Sequence, residues 1–300
     1  MARGWPQPPP GLERHEISAG GAERSYWRML PPPAPASPLL VVLHGMGIGG
    51  PAMAAWTGLA VRGHQAGFAT VFPDALDEVW DDQGAGRADG ADDAAFIAAL
   101  VDRLARDGIA REGRALLVGF SNGANFAERL ARHALVDVAG LVLAAGAARE
   151  ASRRGAERPV QPAAVLMFEG TGDRLAPYRG GTPGGPAAWI ARRRRRRVLL
   201  EPGRGGVVAA ETVAADWAAV HGLAAEPATE PMPRDRGELA VDRLSWSASG
   251  RPPVVLYRIA GGGHGWPDGP QYAPSWLIGR VARHLDATGI LLDFLKQAAG

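Results

Sequence analysis

The sequence predicts an α/β protein with a mostly parallel, doubly wound sheet, and two kinds of pattern support this prediction. Short apolar runs of strand length recur along the 300-residue chain, as at 39–43 and 164–168. A strand that is apolar throughout is typical of a parallel sheet covered by helices on both faces. Helical stripes lie between such runs, for example Phe96, Leu100 and Leu104. Because strands alternate with helices, ligands are expected beyond the carboxyl ends of the strands.

These patterns place the elements in order along the chain. Strands are expected at residues 24–30, 39–43, 115–118, 140–143, 164–168 and 254–259. One helix is expected around Phe96, with Asp92 and Asp93 as its N-terminal caps. Others are expected directly after a glycine-rich turn at 119–123 and over about 211–221.

One domain is expected over residues 11–300, after a proline-rich N-terminal extension at 1–10. A chain of this length can bury roughly three quarters of its unfolded surface, so a single core is sufficient. Residues 179–236 fit the alternation of strands and helices least well, because glycine, proline and arginine are frequent there. We interpret this stretch as an insertion or lid region.

Composition excludes several classes of protein. The chain has no cysteine, which removes disulfides, thiolate metal sites and cysteine nucleophiles. Its apolar runs are too short to span a bilayer, and Trp5 and several prolines stand where a secretory signal needs an apolar stretch. We therefore expect a cytoplasmic protein without a membrane partner. The net charge of +2 is small and indicates no particular partner.

A run of six arginines at 192–197 is the strongest local charge. Six guanidinium groups can bind phosphate or an anionic surface. Nucleic-acid binding usually adds aromatic side chains on which bases stack, and only Trp189 stands nearby. A solvated loop is therefore the favoured interpretation, and no nucleic-acid partner is expected.

A nucleophile is predicted at Ser121, in the sequence GFSNG at 119–123. This sequence matches GxSxG and stands between a strand pattern and a helical pattern. A serine on such a turn is exposed at the end of its strand, beside the backbone N–H groups that begin the helix. The alternative is a glycine-rich turn whose serine only caps the helix. The patterns on both sides favour the nucleophile.

A serine hydroxyl is a poor nucleophile without a base, and His264 is the histidine best placed to be that base. It lies in GGGHG at 261–265, directly after the strand predicted at 254–259. The carboxylate that orients the base is predicted at Asp173, five residues after another strand. Glu169, at the end of that strand, is the main alternative.

Two backbone N–H groups are predicted to hold the oxyanion that forms during acyl transfer. One belongs to Asn122, next to the serine. The other belongs to Met46 in the sequence HGMG at 44–47, after an early strand. The side chains of these two residues are not needed for this role.

Three tryptophans are candidates for substrate binding. Trp266 follows His264 by two residues, where an aromatic wall can hold an acyl or aryl group. Trp80 and Trp276 are further candidates. Core packing is the favoured interpretation of these last two, because aromatic side chains contribute much of the buried area in proteins.

Five segments together carry a family resemblance. They are VVLHGMG at 41–47, GADDAAFIAALVDRLA at 90–105, VGFSNGANFAERLA at 118–131, GTGDRLAPYRGG at 170–181 and GGGHGWP at 261–267. The chain resembles the poly(3-hydroxybutyrate) depolymerase and feruloyl or acetylxylan esterase group of α/β-hydrolases, from about residue 25 to residue 295. The resemblance implies an α/β-hydrolase fold and a serine ester intermediate that water hydrolyses. It also implies a small or oligomeric ester substrate and no metal or organic cofactor.

The chain departs from this group in two ways. Many members are secreted and contain cysteines, whereas this chain has none. Glu169 stands where members often have histidine in an HGT pattern. Two other interpretations stay open, namely a dienelactone-hydrolase-like or peptidase-like acyl hydrolase with the same triad, and a catalytically silent scaffold that binds anions through the arginine run.

Overall fold

A computed structural model describes residues 5–31, 37–111, 114–153, 161–182 and 206–299. The strands are β1 (Glu13–Ala19), β2 (Ala22–Met29), β3 (Leu39–Leu43), β4 (Ala69–Pro73), β5 (Ala115–Phe120), β6 (Val138–Ala144), β7 (Ala164–Gly170), β8 (Ala228–Pro231), β9 (Val241–Trp246) and β10 (Val254–Ile259). The helices are α1 (Gly50–Thr57), α2 (Leu59–Gln65), α3 (Asp93–Arg106), α4 (Asn122–Arg132), α5 (Ala210–Val220), α6 (Ser275–Ile278) and α7 (Ala287–Ala299). No helix in this described part of the chain is long and apolar enough to cross a membrane.

The strands of the described residues form one sheet of ten, in the order β1-β2-β4-β3-β5-β6-β7-β10-β9-β8. Neighbours from β4 through β10 in this order are parallel, and the outer pairs are antiparallel. β3, β4, β5 and β7 are buried along their whole length, which explains their apolar sequences. The predicted fold class, a mostly parallel sheet between helices, is confirmed.

Each face of the sheet has its own hydrophobic core. Helices α3, α4 and α5 pack on one face, and α1, α2 and α7 pack on the other. The stripe of α3 buries Phe96, Leu100 and Leu104, as its spacing predicts. On the opposite face, α7 buries Leu291 and Leu295. The helices therefore hold the sheet between two apolar layers and leave its carboxyl edge for loops.

All six predicted strands overlap observed ones, but β1, β4, β8 and β9 are not among the predictions. β1, β8 and β9 lie in the antiparallel outer parts of the sheet and carry many polar side chains. They therefore lack the continuous apolar run that marks the central strands. β8 is exposed throughout and contains Pro231, a residue that sheets tolerate mainly at their edges.

The segment predicted as an insertion or lid, 179–236, is described only in part. Residues 183–205, which include Trp189 and the arginines at 192–197, lie outside the described residues. The described remainder differs from a lid, because Val213 and Trp217 of α5 are buried in the core and β8 extends the sheet. These parts belong to the layers of the fold.

The topology directs four loops to one edge of the sheet. β3 lies between β4 and β5. After β3 the chain first forms β4 on one side of it and then crosses over to form β5 on the other side. In open α/β sheets, ligands bind outside the carboxyl ends of the strands at such a reversal. Because β7 and β10 are parallel to β3 and β5, the loops after all four strands open on this edge.

Candidate active site

Ser121 occupies a strained turn between β5 and α4. The strand ends one residue before it and the helix begins one residue after it. Its φ of 55° and ψ of −119° are costly for a residue with a side chain. A Cβ at Gly119 would lie 2.4 Å from the Gly123 oxygen, and one at Gly123 would lie 2.3 Å from the last carbonyl oxygen of β3. The flanking glycines are therefore required by the close approach of the two backbones.

His264 lies between Ser121 and Asp173. Its Nε2 is 2.9 Å from Ser121 Oγ, and its Nδ1 is 2.7 Å from Asp173 Oδ2. The imidazole is buried, and its ring centroid is 5.2 Å from that of Phe120. The backbone N–H of His264 donates to Ile278 O, which holds the loop after β10 on the segment of α6. The structure thus brings the three residues of the predicted triad into one hydrogen-bonded chain.

Asp173, rather than Glu169, contacts the imidazole. The other oxygen of Asp173, Oδ1, accepts hydrogen bonds from Leu175 N at 2.7 Å and Ala176 N at 2.8 Å. Glu169 instead accepts a hydrogen bond from Gly146 N at 3.2 Å, and burial raises the pKa of its carboxyl well above the usual value. The two carboxyl groups therefore have different partners, and the alternative orientation of the imidazole by Glu169 is not seen.

The loops after β7 and β10 touch backbone to backbone. Gly172 N donates to Gly262 O at 2.8 Å, and a Cβ at Gly170 would lie 2.3 Å from that oxygen. A Cβ at Gly263 would lie 2.1 Å from Ile278 O. Since no side chain fits between these loops, the glycines bring Asp173 and the imidazole within hydrogen-bond distance.

The two N–H groups predicted to bind an oxyanion lie in loops that follow adjacent strands. Met46 follows β3, and Asn122 is the first residue of α4, where a helix leaves its N–H groups without an internal acceptor. Neither N–H has an acceptor among the described residues. The loops are in contact, because a Cβ at Gly123 would lie 2.5 Å from His44 O. Both N–H groups therefore have no intramolecular acceptor in the described part of the chain, as the predicted role requires.

The three predicted substrate-binding tryptophans have unlike surroundings. Trp266 is 1% exposed and its Nε1 donates to Thr288 on α7, so its indole packs in the core and does not form a wall of the site. Trp80 is also 1% exposed and belongs to the core, which agrees with the packing interpretation. Trp276 differs from that interpretation, because it lies on α6 with 58% of its surface exposed. Arg174, the residue after Asp173, donates to the Trp276 carbonyl oxygen and so connects α6 to the loop that carries Asp173.

Sequence reasoning assigned no role to the side chain of Asn122 or to the ring of His44. Both are buried polar groups with hydrogen-bond partners in other loops. The partner of the Asn122 amide is 42 residues away in sequence, and no local pattern indicates it. Among the described residues, no group of three or more His, Cys, Asp or Glu side chains is arranged to hold a metal ion.

The fold and the strand–serine–helix turn at its centre define the α/β-hydrolase class. Acetyl xylan esterase from Aspergillus awamori matches the structure with a TM-score of 0.55, over 84% of this chain and 94% of that chain. The two sequences are 15% identical, so this likeness concerns the fold. No protein-family profile matches the chain.

A curated relative identifies the family within this class. The protein named "Putative esterase NocK", from Nocardia uniformis subsp. tsuyamanensis, is 30% identical over 291 residues, which cover 93% of this chain and 81% of that protein. The chain therefore belongs to this family of esterases.

Proposed function

We propose that this protein hydrolyses carboxylic esters through a serine acyl-enzyme, with Ser121 as nucleophile, His264 as base and Asp173 as the group that orients the base. The observation that carries the proposal is the continuous chain of hydrogen bonds from Ser121 Oγ through both imidazole nitrogens to Asp173 Oδ2. Because a carboxylate only accepts, Nδ1 carries the proton in this arrangement and Nε2 is free to receive another.

In the first half of the reaction, Ser121 Oγ attacks the ester carbonyl carbon and its proton passes to His264 Nε2. The carbonyl π electrons move to oxygen, and the N–H groups of Met46 and Asn122 donate to this oxyanion. When the oxyanion collapses, the bond to the leaving alkoxide breaks and His264 protonates it. The products of this half are an alcohol and an acyl ester of Ser121.

In the second half, water replaces the alcohol. His264 Nε2 takes a proton from the water as its oxygen attacks the acyl carbon, and the same N–H groups hold the second oxyanion. Collapse breaks the bond to Ser121 Oγ, which regains the proton from His264. The carboxylic acid leaves and the starting state returns, so the atoms and charges balance without a cofactor.

For the substrate, we propose small or oligomeric esters of the polyhydroxybutyrate or feruloyl type. Support comes from the motif resemblance and from the exposed indole of Trp276. This residue lies on α6, whose backbone accepts hydrogen bonds from Arg174 and from His264 N. A panel of methyl ferulate, hydroxybutyrate oligomers and p-nitrophenyl acetate tests this. A preference for feruloyl esters supports the aromatic contact, whereas equal kcat/KM for feruloyl and acetyl esters would exclude it.

The nucleophile is tested with Ser121→Ala. We expect turnover of p-nitrophenyl butyrate to fall by several orders of magnitude, with an unchanged circular dichroism spectrum, because no other group forms the acyl intermediate. A fluorophosphonate probe should add its mass to the wild type and not to Ser121→Ala. Ser152→Ala is the control, since Ser152 is a buried serine that donates to Arg149 O outside the site. Full activity in Ser121→Ala would refute the mechanism.

A further inference from the structure

The side chain of Asn122 is hydrogen-bonded twice to the backbone of Trp80. Its Oδ1 accepts from Trp80 N at 2.8 Å, and its Nδ2 donates to Trp80 O at 3.1 Å. Both residues are buried, with 6% and 1% of their surfaces exposed. An amide that pairs in both directions fixes the peptides on both sides of Trp80 relative to the start of α4.

The indole of Trp80 extends this connection to the loop after β3. Its Nε1 donates to His44 O at 3.0 Å. Its ring stacks on Phe126 of α4, with centroids 5.2 Å apart and planes 9° apart, and it lies 5.1 Å from the His44 ring. Trp80 is therefore held between α4 and the loop that carries Met46.

His44 fixes the peptide that joins Gly45 to Met46. Its Nε2 accepts from Ala75 N at 3.0 Å, and since a backbone N–H only donates, this nitrogen carries no proton. The proton lies on Nδ1, which donates to Gly45 O at 2.9 Å. The carbonyl and N–H of a trans peptide point in opposite directions, so holding the Gly45 oxygen also aims the Met46 N–H.

One buried chain of contacts thus joins the two peptides that carry the predicted oxyanion donors. We propose that the Asn122 side chain and the Trp80 indole are positioning residues that set the relative position of the Met46 and Asn122 N–H groups. This inference rests on the proposed function, because it requires both N–H groups to face the oxyanion. Loss of the connection should weaken binding of the transition state more than binding of the substrate, since the donors act on charge that develops during reaction.

Two variants test this inference. Asn122→Ala keeps the backbone N–H but removes both contacts to Trp80, and Trp80→Phe keeps a ring on Phe126 but removes the indole N–H. We expect each to lower kcat by about tenfold or more, while KM changes by less than about twofold. Inhibition by a trifluoromethyl ketone should weaken in proportion to kcat, because its hemiketal oxygen takes the place of the oxyanion. The double variant should lose little more than the worse single variant, since both changes break the same connection.

Asn125→Ala is the matched control. Asn125 lies on the same helix and is also 6% exposed, but its Nδ2 donates to Asp82 Oδ2 at 3.2 Å instead of to Trp80. Its removal should leave kcat and the inhibition constant within about twofold of wild type. Melting temperatures show which variants fold. If Asn122→Ala does not fold, the kcat and inhibition of Trp80→Phe test the inference instead.

The outcomes separate this inference from the proposed function. Wild-type kcat and inhibition in folded Trp80→Phe or Asn122→Ala would overturn the inference. If Ser121→Ala is inactive in the same experiments, the proposed mechanism still stands. Equal losses in Asn125→Ala would also overturn it, because they indicate a general loosening of the loop. Activity in Ser121→Ala would overturn the proposed function itself.

Discussion

Asp173 and Glu169, two acidic residues near the end of β7, have different hydrogen-bond partners. Asp173 lies in the loop, where two backbone N–H groups and the imidazole bind its carboxylate. Glu169 lies within the strand and is buried, and it accepts from Gly146 N. Sequence alone could not choose between them, because both follow the same apolar run and the direction of each side chain depends on the pleat and on the loop.

Exchange of each carboxyl for an amide distinguishes the two residues. Asp173→Asn is expected to lower kcat by a factor on the order of 10⁴, because an amide N–H opposite Nδ1 favours the wrong tautomer of His264. Glu169→Gln should keep near-wild-type kcat, because the imidazole contacts Asp173 instead and a glutamine oxygen can still accept from Gly146 N. Steady-state kinetics with p-nitrophenyl butyrate measure both. The reverse order of losses would assign the orienting role to Glu169.

The burial of Glu169 also predicts how stability depends on pH. Its pKa is raised in the folded protein, so above the unfolded pKa of about 4.3 the unfolded chain loses a proton that the native state keeps. Stability is therefore lost as pH rises towards the folded pKa, by up to about 1.4 kcal/mol per pH unit. Urea unfolding should show that the stability of Glu169→Gln relative to wild type increases as the pH rises above about 5. A constant difference over this range would contradict the prediction.

At the scale of elements, an internal ion pair joins β2 to the start of α3. Arg24 and Asp93 are 2.8 Å apart, and both side chains are 0% exposed. Asp93 also accepts from Asp81 N at 2.8 Å, next to Trp80. The predicted capping role belongs to Asp92 alone, because its carboxylate accepts from two N–H groups of the first turn. The pair could not be foreseen, since its partners are 69 residues apart.

Loss of one partner leaves a buried charge without compensation. Arg24→Met is therefore expected to lower the free energy of unfolding by about 3–5 kcal/mol, as measured by urea denaturation. Arg28→Met on the same strand is the control, because Arg28 lies 3.6 Å from a Glu13 side chain that is 63% exposed. That surface pair should contribute less than about 1 kcal/mol. Equal losses in the two variants would show that the buried pair has no special role.

At the scale of the whole molecule, the sequence predicted the layers better than the contacts between distant residues. Central strands are buried on both faces, so the apolar runs of all of them except β4 could be recognised without knowing their partners. The glycines around Ser121 and His264 also marked local turns. Trp266 shows the limit, because its indole faces inward to Thr288, 22 residues later, and only the packing of α7 determines this direction.

The conformation of Ser121 has a consequence for the balance between stability and activity. A glycine adopts a φ of 55° without steric cost, whereas the serine or an alanine must be held there by the rest of the fold. Ser121→Gly should therefore unfold at a higher urea concentration than Ser121→Ala, by a difference of about 1 kcal/mol, although both lack the hydroxyl. Equal stability of the two variants would show that the turn is relaxed. Ser121 thus lowers the stability of the fold compared with a glycine at the same position. Selection for stability alone would therefore favour glycine and remove the nucleophile.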